Sequence, residues 1–312
     1  MQENINETSI DKKYMGATGA NRFLLITLLC YMGSSFVLQL LANLLGGKIP
    51  FLRDTLFLLL AGQIALVVPA IVFFVKNKIN VTEFLRIKRM HPITWILIIV
   101  FSYASYPIIS LCNYLSLQVS ENVIDGTMQD ILEKYPIAIC VIAVALIPCM
   151  VEETIFRGVM YQSYKRAGFF KALFMTAILF GFFHMNINQF AYAFVVGIVL
   201  AYMVEATGSI WASVCAHFAV NTYSITVVQI LKLCKMYDGV INNTAVQSTD
   251  IPMTSMLLNL AMMFVIAAIF MLLAILCIKN MAKRNGTLDS IKASFKPGCK
   301  TDKDESRNEK SD

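Results

Sequence analysis

The sequence predicts an all-α polytopic membrane protein, a bundle of about eight transmembrane helices. Three observations carry this prediction. Of 312 residues, 57% are hydrophobic and 15% are charged, with a mean hydropathy of +0.65. A soluble domain is about 45–50% apolar and about 25% charged. The apolar residues fall in long continuous runs, each long enough or nearly so to cross about 30 Å of hydrocarbon at about 1.5 Å per residue. The runs do not alternate with polar residues, which excludes a β-barrel. Composition also excludes a disordered chain and a disulfide scaffold.

The predicted spans are 23–46, 55–75, 92–113, 136–162, 168–187, 189–204, 209–231 and 253–278. The first, second, third and eighth contain no Asp, Glu, Lys, Arg or His. The sixth, at 16 residues, is short and needs tilt or a locally thinner bilayer. Residues 1–22 form a polar N-tail that lacks the pattern of a secretory signal. Residues 23–278 form the membrane domain. Residues 279–312 carry 9 basic and 6 acidic residues and are expected to be a flexible tail.

Lys and Arg set the orientation. With an even number of spans both termini lie on one side. Connections and tails on that side hold 20 basic residues, against 5 on the other. The positive-inside rule then puts both termini in the cytoplasm. The net charge of +6 is thereby read as topology, and the bilayer, not nucleic acid, is the expected partner. The eight cysteines are dispersed and no two are spaced as Cys-x-x-Cys, so they read as small hydrophobes. No internal repeat and no matched pair of broken helices suggests a transporter.

Nearly every ionisable residue within the spans falls into one group; Lys171 sits at the mouth of span five and can snorkel. Glu152, Glu153 and Arg157 lie in span four, His184 in span five and His217 in span seven. An Asp, Lys or Arg at mid-helix costs roughly 2.5–3.5 kcal/mol on insertion scales, so an intramembrane cluster reads as a functional site. Glu153 and Arg157 are i, i+4 and can pair. Glu152 points about 100° away from Glu153 on an α-helix, so it is the carboxylate left free to act as a general base. His217 and Asn221 are also i, i+4 and share a face. Taken singly, each residue has a plainer reading: an interhelical hydrogen bond for either histidine or Asn221, and a helix-fixing ion pair for Glu153 and Arg157. Counted along the spans, Glu152 and His184 differ in depth by roughly 14 Å in a 30 Å core, a gap that tilt or a kink near Pro148 would close.

These residues fall into three motifs. Glu152-Glu153-Thr154-Ile155-Phe156-Arg157 fits Glu-Glu-x-x-x-Arg, Phe180-Gly181-Phe182-Phe183-His184 fits Phe-x-x-x-His, and His217-Phe218-Ala219-Val220-Asn221 fits His-x-x-x-Asn. In this order, on separate spans, they resemble the CAAX-processing and bacteriocin-processing (abortive-infection) family of intramembrane endopeptidases, over a core of about 130–225. The resemblance implies that Glu152, with His184, activates a water, and that His217 and Asn221 hold the oxyanion. It implies that Glu153 and Arg157 order the site. It also allows a metalloprotease in which Glu152, His184 and His217 hold zinc. A metal-free mechanism is the favoured expectation, because the helical His-Glu-x-x-His motif is absent and Asn is a poor zinc ligand. The implied substrate is a membrane-associated peptide or protein: a prenylated C-terminus, a bacteriocin or other peptide precursor, or a membrane protein. The competing reading is a catalytically silent member acting as an immunity factor or membrane scaffold.

Overall fold

Among the described residues, eight helices form the bundle, joined by shorter ones such as Ile124–Lys134. The computed structural model describes residues 15–120, 124–165, 167–234 and 253–295, among which none is in a strand. Most of the predicted N-tail, residues 1–14, and the end of the predicted C-tail, 296–312, lie outside the described residues. The helices are α1 (Ala17–Leu45), α2 (Thr55–Lys76), α3 (Pro92–Ser116), α4 (Ile137–Lys165), α5 (Phe169–Phe183), α6 (Ile187–Thr207), α7 (Ile210–Leu233) and α8 (Met253–Arg284). They correspond one to one with the eight predicted spans.

Six of the eight are long and apolar enough to cross a membrane: α1, α2, α3, α4, α6 and α8. The other two each miss one requirement. Helix α5 has only 15 residues, about 22 Å at the α-helical rise, short of a bilayer core. Helix α7 has 24 residues, but its apolar run is broken by Ser213, His217, Asn221, Thr222 and Ser224. The sixth span, expected to be short, is instead a 21-residue helix. It gains length by taking in polar residues that find partners. Buried Asn188 donates to Asn113 Oδ1 at 2.9 Å and to Ser116 Oγ at 2.7 Å. At the other end Lys165 reaches Glu205 at 2.7 Å.

Local chemistry sets the helix ends. Asp54 caps α2 by accepting from the Phe57 N–H, and Asn186 caps α6 by accepting from the Asn188 and Gln189 N–H groups. Gly208 ends α6 in the left-handed conformation, with φ +69°, which lets α7 begin two residues later. Residues 279–295, assigned by sequence to a flexible tail, extend α8 to Arg284 and form a short helix, Leu288–Ser294. Packing decides this. Ile291 is buried, Thr287 Oγ1 donates to the Ala206 carbonyl at 2.7 Å, and Phe295 meets the rings of Phe169 and Phe170.

Helix α4 is irregular where it matters. Residues Val141–Leu146 and Thr154–Tyr161 are π-helical, flanking a regular turn at Ile147–Glu153. Pro148 accounts for the first wide turn. It has no N–H to give, and its ring would collide with the carbonyl four residues back. Widening the preceding turn relieves the collision without ending the helix. The second wide turn carries Arg157, and every residue from Ile155 to Tyr161 is buried.

Candidate active site

Glu153 is the hub of the site. Its Oε1 accepts from Arg157 Nη1 at 2.9 Å and from His217 Nδ1 at 2.9 Å. Glu153 and Arg157 are 0% and 1% exposed, and His217 is 4% exposed. A lone buried charge would cost several kcal/mol, so the pair is the condition for either residue being there. Arg157 has two further contacts. Nη2 donates to the Gly197 carbonyl at 3.1 Å, and the guanidinium carbon stands 4.4 Å from the centroid of the Phe180 ring. Gly197 permits this approach. A Cβ there would lie 2.9 Å from Ala177 Cα, so only glycine lets α5 and α6 come this close.

Glu152 stands beside this pair without joining it. Its Oε2 is 3.9 Å from His217 Nε2, beyond hydrogen-bond range. That oxygen is buried and has no hydrogen-bond partner among the described residues. The residue is 7% exposed. Glu153 Oε2 is likewise buried without a hydrogen-bond partner among the described residues, so the two adjacent carboxylates differ in the ion pair: Glu153 is bonded through Oε1 to a guanidinium and an imidazole, and Glu152 stays outside that pair.

His184 lies at the C-terminal end of α5 as its capping residue. Its Nδ1 is 2.8 Å from the Phe180 carbonyl. A carbonyl only accepts, so Nδ1 carries the hydrogen and the neutral ring keeps a lone pair on Nε2. The same reasoning applies to His217, whose Nδ1–H goes to Glu153. Its Nε2 donates only when the ring is doubly protonated. Asn221 lies one turn beyond His217, and its Nδ2 is 3.6 Å from Cys149 Sγ. That weak bond uses one of the amide's two N–H groups.

The depth mismatch expected between Glu152 and His184 is absent. The Phe180 ring packs at 5.0 Å on His184 and at 5.8 Å on His217, so both imidazoles border one phenyl ring that also stacks on Arg157. Helix α4 closes the gap by running unbroken through its two wide turns to Lys165. Counted at the α-helical rise from there and from Phe169, Glu152 and His184 lie about 20 Å and about 22 Å up their helices.

A zinc site through Glu152, His184 and His217 does not fit this arrangement. Among the described residues no three His, Cys, Asp or Glu side chains gather closely enough to hold a metal ion. Glu152 and His217 approach each other to 3.9 Å, and the contacts of His184 are with Phe180 and Phe183.

Phe180 stands in the Phe-x-x-x-His motif, where sequence alone assigned it no role of its own, and two further contributing residues lie outside the motifs. Gly197 had a weaker signal, a glycine spaced by four from Ala193 and Ala201 in a helix of large residues. Cys149 had none, being one cysteine of several in apolar runs.

Residues 134–223 match the family model described as type II CAAX prenyl endopeptidase Rce1-like. A relative from Bacillus subtilis (strain 168), named "Putative membrane peptidase YdiL", is 26% identical over 97 residues. The alignment covers 31% of this chain and 39% of that protein, so it spans about two fifths of the relative's length. No solved structure matches. Both matches support a membrane protease at the level of the family. The resemblance of the three motifs to the CAAX-processing and bacteriocin-processing family is thereby borne out over residues 134–223, the segment that holds every candidate residue.

Proposed function

We propose that the chain is an intramembrane endopeptidase that hydrolyses a peptide bond in a membrane-associated substrate. The observation that carries this reading is the unpaired, buried Oε2 of Glu152 beside a His217 already held by Glu153. A carboxylate kept apart from its neighbour's ion pair is what a general base requires. In this reading Glu152 takes a proton from water, with His184 Nε2 assisting. The hydroxide attacks the scissile carbonyl. His217, as imidazolium, and the free N–H of Asn221 donate to the oxyanion. Glu153 fixes the ring of His217, and Arg157 fixes Glu153. The proton held by Glu152 then passes to the leaving amine as the C–N bond breaks.

The substrate classes are a prenylated C-terminus, a peptide precursor or a membrane protein. Both termini face the cytoplasm of a bacterial plasma membrane. The test compares the membrane and secreted peptidomes of cells carrying the native protein, Glu152→Ala or His184→Ala. Fragments present with the native protein and missing with both variants, at equal membrane insertion, are expected, and they name the substrate. Full proteolysis by both variants would sink the assignment. A Glu152→Ala protein that still rescues a deletion phenotype would favour the silent scaffold. Metal content of purified protein, with activity after chelation, tests the metal-free chemistry: one zinc per chain, lost together with activity, would overturn it.

A further inference from the structure

Helix α1 carries none of the three motifs, yet it sends one polar side chain to the site. Tyr31 packs its ring on Phe183, the residue before His184, with centroids 6.0 Å apart. On its other side the ring lies against Gly62 of α2, where a Cβ would come within 3.1 Å of Tyr31 Cε2. The ring is thus held between α2 and α5. Its hydroxyl is within electrostatic reach of the Glu152 carboxylate, whose Oε2 accepts no hydrogen bond from any described residue. The ring packing thus sets a hydroxyl donor on the α1 side of the site, next to the helix turn that carries His184 and on the side from which it senses the Glu152 charge.

The other two oxyanion donors are conditional. His217 Nε2 donates only as imidazolium, and Asn221 has one N–H directed at Cys149 Sγ. A phenol carries its hydrogen throughout the neutral range. We propose that Tyr31 is a catalytic residue, a third donor to the oxyanion of the tetrahedral intermediate, supplied by a helix outside the motif-bearing core. The inference rests on the protease reading above.

The test uses the full chain in vesicles, with the precursor of a Glu152-dependent fragment as probe. Tyr31→Phe keeps the ring on Phe183 and against Gly62 and removes only the hydroxyl. Its kcat is expected to fall at least about tenfold, with KM and thermal stability unchanged, in line with loss of one oxyanion donor. A rate within twofold of native, with Glu152→Ala inactive, would overturn the role of Tyr31 and leave the protease reading standing. Full activity in both variants would overturn the protease reading itself. Should Tyr31→Phe fold poorly, 3,5-difluorotyrosine at position 31 keeps the shape and acidifies the hydroxyl. Activity should then disappear at an alkaline pH where the native enzyme still works. An unchanged pH profile would count against Tyr31 as a donor.

Discussion

Helices α4 and α8 are both long, apolar and able to span a bilayer, yet they are built for different surroundings. The apolar window of α4 is 56% buried within the protein, and that of α8 only 17%. Helix α4 carries Glu152, Glu153 and Arg157, whereas α8 has no ionisable residue before Lys279. Its side chains Leu258 and Leu272 are 68% and 65% exposed. The comparison shows where a membrane protein can keep charge. A carboxylate facing lipid has no partner, while one wrapped by other helices can be given a guanidinium and an imidazole. The wide turns of α4 belong to the same contrast, because irregular backbone at membrane depth is tolerated where protein encloses it.

The largest expected effect separates chemistry from structure within α4 itself. Glu152→Ala abolishes cleavage and leaves the fold intact, whereas Arg157→Ala removes both. The second change strands Glu153 in a fully buried position, at about 3–5 kcal/mol for one broken partner. Thermal unfolding in detergent, measured beside proteolysis, checks this. Equal melting temperatures for the two variants would break the distinction between the working carboxylate and the structural pair. Restored stability in Glu153→Gln/Arg157→Met, still without activity, would sharpen it.

A smaller effect tests packing against lipid exposure. Gly197→Ala drives a methyl to within 2.9 Å of Ala177 Cα. It should cost about 1–3 kcal/mol by overpacking and displace the carbonyl that holds Arg157. Leu272→Ala removes more atoms but from the exposed face of α8, and its effect should stay within about 0.5 kcal/mol. Similar losses for the two would mean that the outer face of α8 is covered in the native membrane.

The smallest expected effect lies outside the spans. The Asp130 carboxyl is held below the usual carboxylate range, first by a hydrogen bond from Lys134 and then by one from Thr55. A lowered carboxyl pKa contributes stability above the unfolded value, and that stability is lost as pH falls through the folded one. The melting difference between native protein and Asp130→Asn should therefore be present at neutral pH and shrink below about pH 4. The exposure of the site keeps it slight. A difference that persists at low pH would show that Asp130 acts through something other than its charge.

Much of this was legible in the chain. Continuous apolar runs located all eight helices, because burying backbone polar groups in hydrocarbon leaves a long run few options but helix. The i, i+4 spacing of Glu153 and Arg157 is the spacing at which the structure pairs them. Other features were not legible. Span ends were misjudged where polar residues continue a helix, as Asn188 and Glu205 do, since hydropathy cannot see a partner on another helix. The order in 279–295 was missed for the same reason, because Thr287, Ile291 and Phe295 find their contacts on α5 and α6.

By itself, then, the sequence determined that the chain is a helical membrane protein, where its helices run, and which few ionisable residues are kept within them. These follow from composition and local periodicity, which act along the chain. Only the tertiary structure decided which carboxylate joins the ion pair and which stays outside it, that one phenyl ring gathers Arg157, His184 and His217, and that Tyr31 of a motif-free helix packs on Phe183 beside His184. Those facts depend on how closely α4, α5, α6 and α7 approach one another and on the widened turns of α4. Close approach is settled by residues such as Gly197 and Ala177, far apart in sequence, whose sizes matter only once they face each other.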